Sequence, residues 1–306
     1  MDKAARIAVT GGRGLVGSAL VDLLGAEGFA DVVPVGREEC DLSDVPATRR
    51  YFADLKPDYV FHAAARVYGI MGNMKNQGLS FYDNNLINTA VVDAAHRAGV
   101  KKITVMGTGA IYPFPPASLP LREATVFDGR PHPSESGYAH AKRAMLAMLE
   151  AYAESYGTRW AYIASCNLFG PRDKFDIEGG HVVPSLIAKF RTAELTGGRV
   201  SVWGDGSAQR DFMYVKDAAR VALTVMRELD GVVNMGSGAV WSIRQIVEAL
   251  GRITGLADRI DWDATKPNGQ AYRAYDLTRL SSTGFTCRYP IEQGLAETWA
   301  WYRAQT

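Results

Sequence analysis

A glycine pattern set between an apolar run and an amphipathic stretch leaves this chain few folds to choose from. Ile7-Ala8-Val9 leads into Thr10-Gly11-Gly12-Arg13-Gly14-Leu15-Val16-Gly17, and Leu20, Val21, Leu23 and Leu24 continue at helical spacing. In a strand–turn–helix unit of this kind, Gly11 permits the tight turn and Gly14 lets the backbone approach a pyrophosphate. Gly17 lets the helix lie close to the sheet. The helix start at Leu15 and Val16 turns its N-terminus toward an anion. Any Gly-rich turn can match the pattern; the strand before it and the helix after it make it a dinucleotide fingerprint. The competing reading is a tight turn without a ligand.

The alternation continues through the first half. Residues 6–10, 31–35, 59–62, 102–107 and 160–164 read as strands, and 15–24, 45–55, 82–98 and 137–156 as helices. Strands separated by helix-length segments predict a parallel sheet covered on both faces. Beyond Gly170 the elements shorten, punctuated by Pro171, Gly179-Gly180, Pro184 and Gly197-Gly198. Helices are expected over 183–194, 215–229, 242–254 and 291–303, and strands over 200–203, 232–234 and 259–262. The expected fold is α/β: a doubly wound parallel sheet (Rossmann) with a smaller α/β C-terminal substrate lobe. Its dinucleotide-binding domain spans 1–170, with roughly 211–236 crossing back; 171–210 and 237–306 form the substrate-binding lobe.

Composition narrows the function. The 306 residues are 47% hydrophobic, enough for one large domain or a large one plus a small one. A formal net charge of +1 with no basic run gives no electrostatic case for nucleic acid or an anionic membrane. The first strand begins at Arg6, leaving no room for a signal peptide, and no apolar run reaches spanning length. Cys40, Cys166 and Cys287 are odd in number and lack metal-like spacing. They read as reduced thiols. A cytoplasmic enzyme without a metal is the expectation.

The second strand ends Val35-Gly36-Arg37. An NAD site places Asp or Glu there for the ribose 2′-hydroxyl, whereas an arginine accommodates the 2′-phosphate of NADP. Arg37 therefore predicts NADP (NADPH). Arg13 would stack on the adenine or join the phosphate, and Asp41 and Leu42 would border the adenine. Two alternatives stay open: both arginines are solvated surface charges, or Glu38 and Glu39 serve an NAD ribose.

In Tyr138-Ala139-His140-Ala141-Lys142 the tyrosine and lysine are four residues apart, on one helix face. A phenol with a pKa of about 10 is a poor acid at neutral pH, and an adjacent ammonium lowers it. Lys142 can also hold the nicotinamide ribose. Thr108, in Gly107-Thr108-Gly109, leaves the fourth strand at the carboxyl edge, where open α/β sheets bind ligands. Thr108, Tyr138 and Lys142 thus form a carbonyl-polarising triad, which beside a dinucleotide means hydride transfer. The bland alternative is a surface Tyr–Lys pair.

Nearly end to end, the chain resembles the extended short-chain dehydrogenase/reductases acting on nucleotide sugars, and within them the GDP-L-fucose synthase branch. The likeness is carried by residues 11–17 and 138–142, His62-Ala63-Ala64-Ala65-Arg66-Val67-Tyr68-Gly69-Ile70, Ile111-Tyr112-Pro113 and Asn167-Leu168-Phe169-Gly170-Pro171. His181-Val182-Val183-Pro184, Val202-Trp203-Gly204-Asp205-Gly206 and Lys266-Pro267-Asn268-Gly269 complete it. The resemblance implies that Ala63, Ala64 and Ala65 line the cofactor and that Asn167 lies near nicotinamide and sugar. It implies His181 as a proton donor beside the sugar, and Val182, Lys189, Trp203, Arg210 and Lys266 around the nucleotide sugar.

Some of these residues carry a second reading. Arg210 suits a pyrophosphate, which a guanidinium binds bidentately, or a salt bridge with Asp211 or Asp217. Trp203 stacks on the sugar or base, or packs. His181 protonates, positions the sugar, or is a structural hydrogen-bonded residue. The family also implies a homodimer built from the 82–98 and 137–156 helices. The apolar stripe of Ala141, Met145, Leu146, Met148, Leu149 and Tyr152 permits it, and equally fits packing on the sheet.

One departure weighs as much as the matches. Where that branch resembles Ser-Ser-Cys-Ile-Tyr-Pro, this chain reads Thr108-Gly109-Ala110-Ile111-Tyr112-Pro113. Thr108 keeps a hydroxyl, but the cysteine that the family uses to remove protons beside the ketone is Ala110. Epimerisation needs one group to take the proton and one to return it. Cys166 reads as a buried small hydrophobe rather than a substitute. The expectation is NADPH-dependent reduction of the 4-keto group of a GDP-4-keto-6-deoxy sugar, without full 3,5-epimerisation. Three rivals stand beside it: a bifunctional GDP-L-fucose synthase with a relocated base, an NAD-retaining nucleotide-sugar 4-epimerase, and a non-catalytic NADP-binding protein.

Overall fold

Runs of Val, Ile and Ala buried from both sides build the central sheet. The computed structural model describes residues 1–67, 72, 74–266 and 270–306. Tyr68, Gly69, Ile70, Pro267, Asn268 and Gly269 of the family-like segments lie outside the described residues. Strands β1 (Arg6–Thr10), β2 (Asp31–Val35), β3 (Tyr59–His62), β4 (Lys102–Met106) and β5 (Trp160–Ser165) pair with a later strand, β9 (Gly231–Met235). The order is β2-β1-β3-β4-β5-β9, every neighbouring pair parallel. Ile7, Ala8, Val9, Val60, Ile103, Val105 and Ile163 are fully buried, as strands covered on both faces require. Pro34 sits in β2, an edge strand, where its missing N–H costs least.

Two helix layers cover the sheet. Helices α2 (Val45–Leu55), α3 (Gln77–Arg97) and α4 (Ser136–Tyr156) pack on one another, while α1 (Leu15–Ala26) packs with α6 (Val215–Glu228). Asp44 caps α2 by accepting from Ala47 N at 2.9 Å. Helix α3 begins at Gln77, five residues before the expected start at 82, because a tertiary contact holds its first turn. The Gln77 side chain accepts from Gly137 N at 2.5 Å and donates to Pro133 O at 2.8 Å. The apolar stripe on α4 faces the sheet: Ala141, Met145, Leu146 and Leu149 are buried, and Met148 and Tyr152 pack against the same core. That stripe therefore carries no dimer argument.

A second core forms from short strands. Strand β8 (Gln209–Tyr214) pairs with β6 (Asn167–Phe169), β10 (Val240–Ser242) and β12 (Tyr272–Arg273), and β7 (Val200–Trp203) pairs with β11 (Ile260–Asp263). Helices α5 (Val182–Thr196), α7 (Ile243–Thr254) and α9 (Ile291–Gln305) enclose Phe169, Phe190, Phe212, Ile246, Leu250 and Leu295 with them. The observed partition differs from the expected one at both seams. Residues 167–169 join the second sheet through β8. Tyr275 and Leu280, expected in the lobe, return to the first core, where α8 (Thr278–Ser281) packs on β9.

Asn234, fully buried on β9, ties this crossing. It accepts from the Tyr112 hydroxyl at 2.5 Å and donates to Leu121 O at 2.9 Å and Asp276 O at 3.0 Å. Leu121 in turn pairs with the incoming chain, donating to Ala274 O at 2.9 Å and accepting from Asp276 N at 2.8 Å. Among the described residues no helix is long and apolar enough to cross a membrane.

The exit of β4 is steric. A Cβ on Gly107 would lie 2.1 Å from the ring of fully buried Tyr162, and one on Gly109 would lie 2.0 Å from the Tyr275 hydroxyl. Glycine on each side therefore lets two rings support the loop that carries Thr108. Gly107→Ala should lower stability by about 1–3 kcal/mol through overpacking, read as a lower urea midpoint. An unchanged midpoint would mean that the ring moves freely aside.

Candidate active site

The sheet order reverses between β1 and β3, which opens a crevice at the carboxyl ends of the strands. The glycine loop lies there. Gly11 takes φ +68, and a Cβ on it would meet Ala64 N at 2.8 Å, so the loop rests on the exit of β3 at Ala63 and Ala64. A Cβ on Gly17 would fall 2.1 Å from Gly11 O. Gly17 thus fits the helix against the loop itself. The N-cap of α1, Gly14, makes no side-chain cap, which leaves first-turn N–H groups near Leu15 and Val16 for an anion. Its own Cβ position meets nothing closer than 3.4 Å.

The adenosine end is partly as expected. Arg37 is exposed just past β2. Arg13 is paired with Glu38 and Glu39, and Glu39 also accepts from Gly36 N at 2.7 Å. That backbone hydrogen bond, more than Arg13, pulls the Glu39 pKa down. Both acids are thus already engaged beside the arginines. Asp41 accepts from Ser43 N at 3.0 Å and Ser43 Oγ at 2.6 Å, which lowers its pKa. Leu42, expected beside the adenine, is a core residue buried with Phe52 and Val60. Ala63, Ala64 and Ala65 follow β3 and are half-buried.

At the reaction centre, Lys142 is buried on α4 and donates to Met106 O at 2.9 Å. Its Nζ lies 5.8 Å from the centroid of the Tyr138 ring. Burial pulls the Lys142 pKa down to about 8. Burial also pushes the Tyr138 phenol above its ordinary value, with the Glu135 carboxylate adding to the rise. The expectation that Lys142 lowers the tyrosine pKa is therefore corrected: burial and the Glu135 carboxylate set the direction of the Tyr138 shift, which is upward. Tyr138 stays protonated at neutral pH, the state a proton donor needs. Thr108 leaves β4 in an extended conformation, and its Oγ1 accepts from Ala110 N at 3.1 Å, leaving its O–H to donate. Ala110 is buried behind it.

Beneath this centre runs a polar chain that periodicity alone does not mark. Thr10 Oγ1 lies 2.7 Å from His62 Nδ1, and His62 Nε2 lies 3.1 Å from Asn88 Oδ1. Burial, reinforced by the Lys142 charge, brings the His62 pKa down to about 3, so the ring is neutral.

On the lobe side the structure gathers three residues named from the family likeness. Trp203 is 43% exposed, too open for a packing residue, with Lys189 Nζ 5.1 Å and Lys266 Nζ 6.0 Å from its ring centroid. Arg210 does not pair with Asp211 or Asp217 as the alternative had it. Asp211 accepts from Ser237 and Gly238, and Asp217 from Arg220 and the Arg288 and Tyr289 amides. Arg210 instead stands opposite Arg273 in the β8–β12 register. Burial and the Arg273 charge lower its pKa to about 10. Glu135 reaches toward Arg273 at 3.9 Å. Two adjacent guanidiniums suit an anion, and Arg273 was not legible because β12 is placed by long-range pairing.

Asn167 opens β6, half-buried, opposite Phe212. Cys166 before it is buried, which holds its thiol well above the usual range and inert. His181 is exposed at the start of α5 and makes no cap hydrogen bond to that helix; Val182, next in line, packs on the second core.

Residues 7–236 match the model of the NAD dependent epimerase/dehydratase family. GDP-L-fucose synthase 1 of Arabidopsis thaliana is 37% identical over 98% of this chain and 94% of its own length. Among solved structures, a GDP-6-OMe-4-keto-L-xylo-heptose reductase from C. jejuni superposes with a TM-score of 0.93 at 26% identity, covering 100% of this chain and 99% of that one. A GDP-mannoheptose C4 reductase from Campylobacter jejuni, solved with NADP bound, gives a TM-score of 0.88 at 27% identity over 99% of each chain.

The buried ammonium makes a testable demand on stability. Its pKa falls from 10.5 to about 8 on folding, so below pH 8 a charge is held in a dry site. The shift corresponds to about 3 kcal/mol, fully present below pH 8 and relieved as pH rises toward the unfolded value. Lys142→Met should therefore melt at a higher temperature than the parent at pH 7 and lose that advantage above about pH 10. A methionine variant that melts lower at pH 7 would refute the charge burial.

Proposed function

The chain belongs to the NAD dependent epimerase/dehydratase family, and we propose that it reduces the 4-keto group of a GDP-4-keto-6-deoxy sugar with NADPH, without full 3,5-epimerisation. One observation carries the reading. Thr108 and Tyr138 keep the two donors that ketone reduction needs, while Ala110 stands where epimerisation would need a base.

The residues present fit the cofactor. The uncapped start of α1 and the open side of Gly14 suit its pyrophosphate, Arg37 and Arg13 its 2′-phosphate, and Lys142, Ala65 and Asn167 its nicotinamide half. When bound, NADPH supplies the hydride that adds to the ketone carbon. Tyr138 gives its proton to the oxygen as the alkoxide develops, and its raised pKa keeps that proton in place until then. Thr108 donates to the same oxygen. Arg210 and Arg273 hold the sugar's pyrophosphate, and the Trp203 face with Lys189 and Lys266 takes the nucleotide. The relatives' names support the GDP link and the 4-reduction, and the NADP-bound neighbour supports the cofactor. The reading includes a homodimer built from α3 and α4, on which Tyr82 and Tyr156 are exposed.

Two measurements test this. Incubated with GDP-4-keto-6-deoxy-D-mannose and NADPH, the protein should consume one NADPH per sugar, and NMR of the product should show unchanged configuration at carbons 3 and 5. Inversion at both carbons would make it a bifunctional synthase. Tyr138→Phe should cut turnover by about a thousandfold while NADPH titration gives a near-parental affinity; a variant that still turns over would remove Tyr138 from the acid role.

A further inference from the structure

The Tyr275 hydroxyl is buried and, among the described residues, has no hydrogen-bond partner. A buried phenol ordinarily finds one, because a donor left unpaired away from water is destabilising. Phenylalanine would fill the same space without that cost, so the oxygen asks for a role. Its position is fixed from three sides. Leu121 N donates to Ala274 O at 2.9 Å and Asp276 N to Leu121 O at 2.8 Å, which clamps the backbone on both sides of Tyr275. The Tyr112 ring meets the Tyr275 ring edge-on, with centroids 6.3 Å apart. The hydroxyl end presses on Gly109, where a Cβ would lie 2.0 Å from the oxygen. The unpaired oxygen thus rests against the residue that follows Thr108.

The same strand carries charge beside it. The chain is strand-paired at Tyr272 and Arg273 and again at Tyr275, so Arg273 and Tyr275, two positions apart, share a face. Arg273 stands in register with Arg210 on β8, and its guanidinium lies 3.9 Å from Glu135, three residues before Tyr138. The row Arg210, Arg273, Tyr275 therefore leads from the two arginines to the Thr108 loop. Burial raises the Tyr275 pKa against the pull of the Arg273 charge, so the hydroxyl keeps its proton at neutral pH and can donate.

We infer that Tyr275 is a specificity-determining residue whose hydroxyl donates to the 3-hydroxyl of the bound ketosugar. This rests on the GDP-4-keto-6-deoxy sugar reading above. Pyrophosphate on the arginines sets carbon 1 at one end of the row, and the ketone beside Thr108 sets carbon 4 at the other. Of the two carbons flanking carbon 4, carbon 5 carries the methyl group and the ring oxygen, and carbon 3 carries a hydroxyl. A donor one residue from Thr108 meets its acceptor there. The contact forms as Arg273 turns to the pyrophosphate and opens the dry hydroxyl to the ring. A site built around such a donor rejects a sugar lacking the hydroxyl, because the donor then stays unpaired.

Tyr275→Phe keeps the ring and removes the oxygen. Its kcat/KM for GDP-4-keto-6-deoxy-D-mannose should fall by about tenfold or more, while calorimetry gives a near-parental affinity for GDP. With the analogue that lacks the 3-hydroxyl, GDP-4-keto-3,6-dideoxy-D-mannose, parent and variant should turn over alike. The urea midpoint of the variant should equal or exceed the parent's, since no paired group is lost. An undiminished kcat/KM on the full sugar overturns the contact, and an equal loss on both sugars assigns the hydroxyl to the Thr108 loop instead. A lower midpoint shows a hydroxyl already paired in the free protein, which also overturns it. A wild type that reduces neither sugar sinks the ketosugar reading, and this contact with it.

Discussion

A parallel sheet that is dry on both faces leaves its carboxyl edge as the place for chemistry, and this structure follows from that. Backbone groups inside the sheet are paired with each other, and side chains inside it are committed to packing. What emerges at the edge is therefore short and deliberate: the glycine loop after β1, the alanines after β3, Thr108 after β4 and Asn167 beyond β5. Helix α4 lays Tyr138 and Lys142 against the same edge, with Lys142 anchored to Met106 O. The second core carries Trp203, Arg210 and Arg273, the residues the proposed reading sets against the nucleotide sugar.

Much of this was legible in the sequence, for a physical reason. Strands β1, β2 and β3 and helix α2 fall where periodicity puts them, because local apolar pattern and local capping agree with the tertiary fold. The strands around β8 were not legible. Strands β6, β10 and β12 have three, three and two residues, too few for a period, and each is placed only by pairing with β8. Arg273 was missed for the same reason: spacing shows which residues share a face, and only long-range packing shows which faces meet. The α4 stripe shows the converse, apolar residues with two readings that burial alone separates. The direction of the Tyr138 shift also depends on burial, which a four-residue spacing does not contain.

The site concentrates unfavourable electrostatics. An ammonium without a carboxylate partner and a phenol resisting ionisation share one turn of α4, and two guanidinium-bearing residues stand opposite each other on β8 and β12. Each is costly in the free protein and becomes useful when a phosphate, an alkoxide or a proton arrives. Two buried charges elsewhere are matched: Asp217 takes the Arg288 and Tyr289 amides, and Lys102 takes Val225 O and Leu229 O.

The crossing at Asn234 also bears on how the chain comes off the ribosome. Leu121 belongs to the first half, yet its backbone partners are Ala274 and Asp276, and Tyr275 fills a place in the first core. The amino-terminal half therefore cannot complete its interior while it is being made; it waits for residues more than 150 positions later in the sequence. Until then an apolar surface and the rim of β9's eventual place stand open, a state prone to misassociation. A nascent-chain chaperone would find its longest window on this protein between synthesis of Leu121 and release of Tyr275.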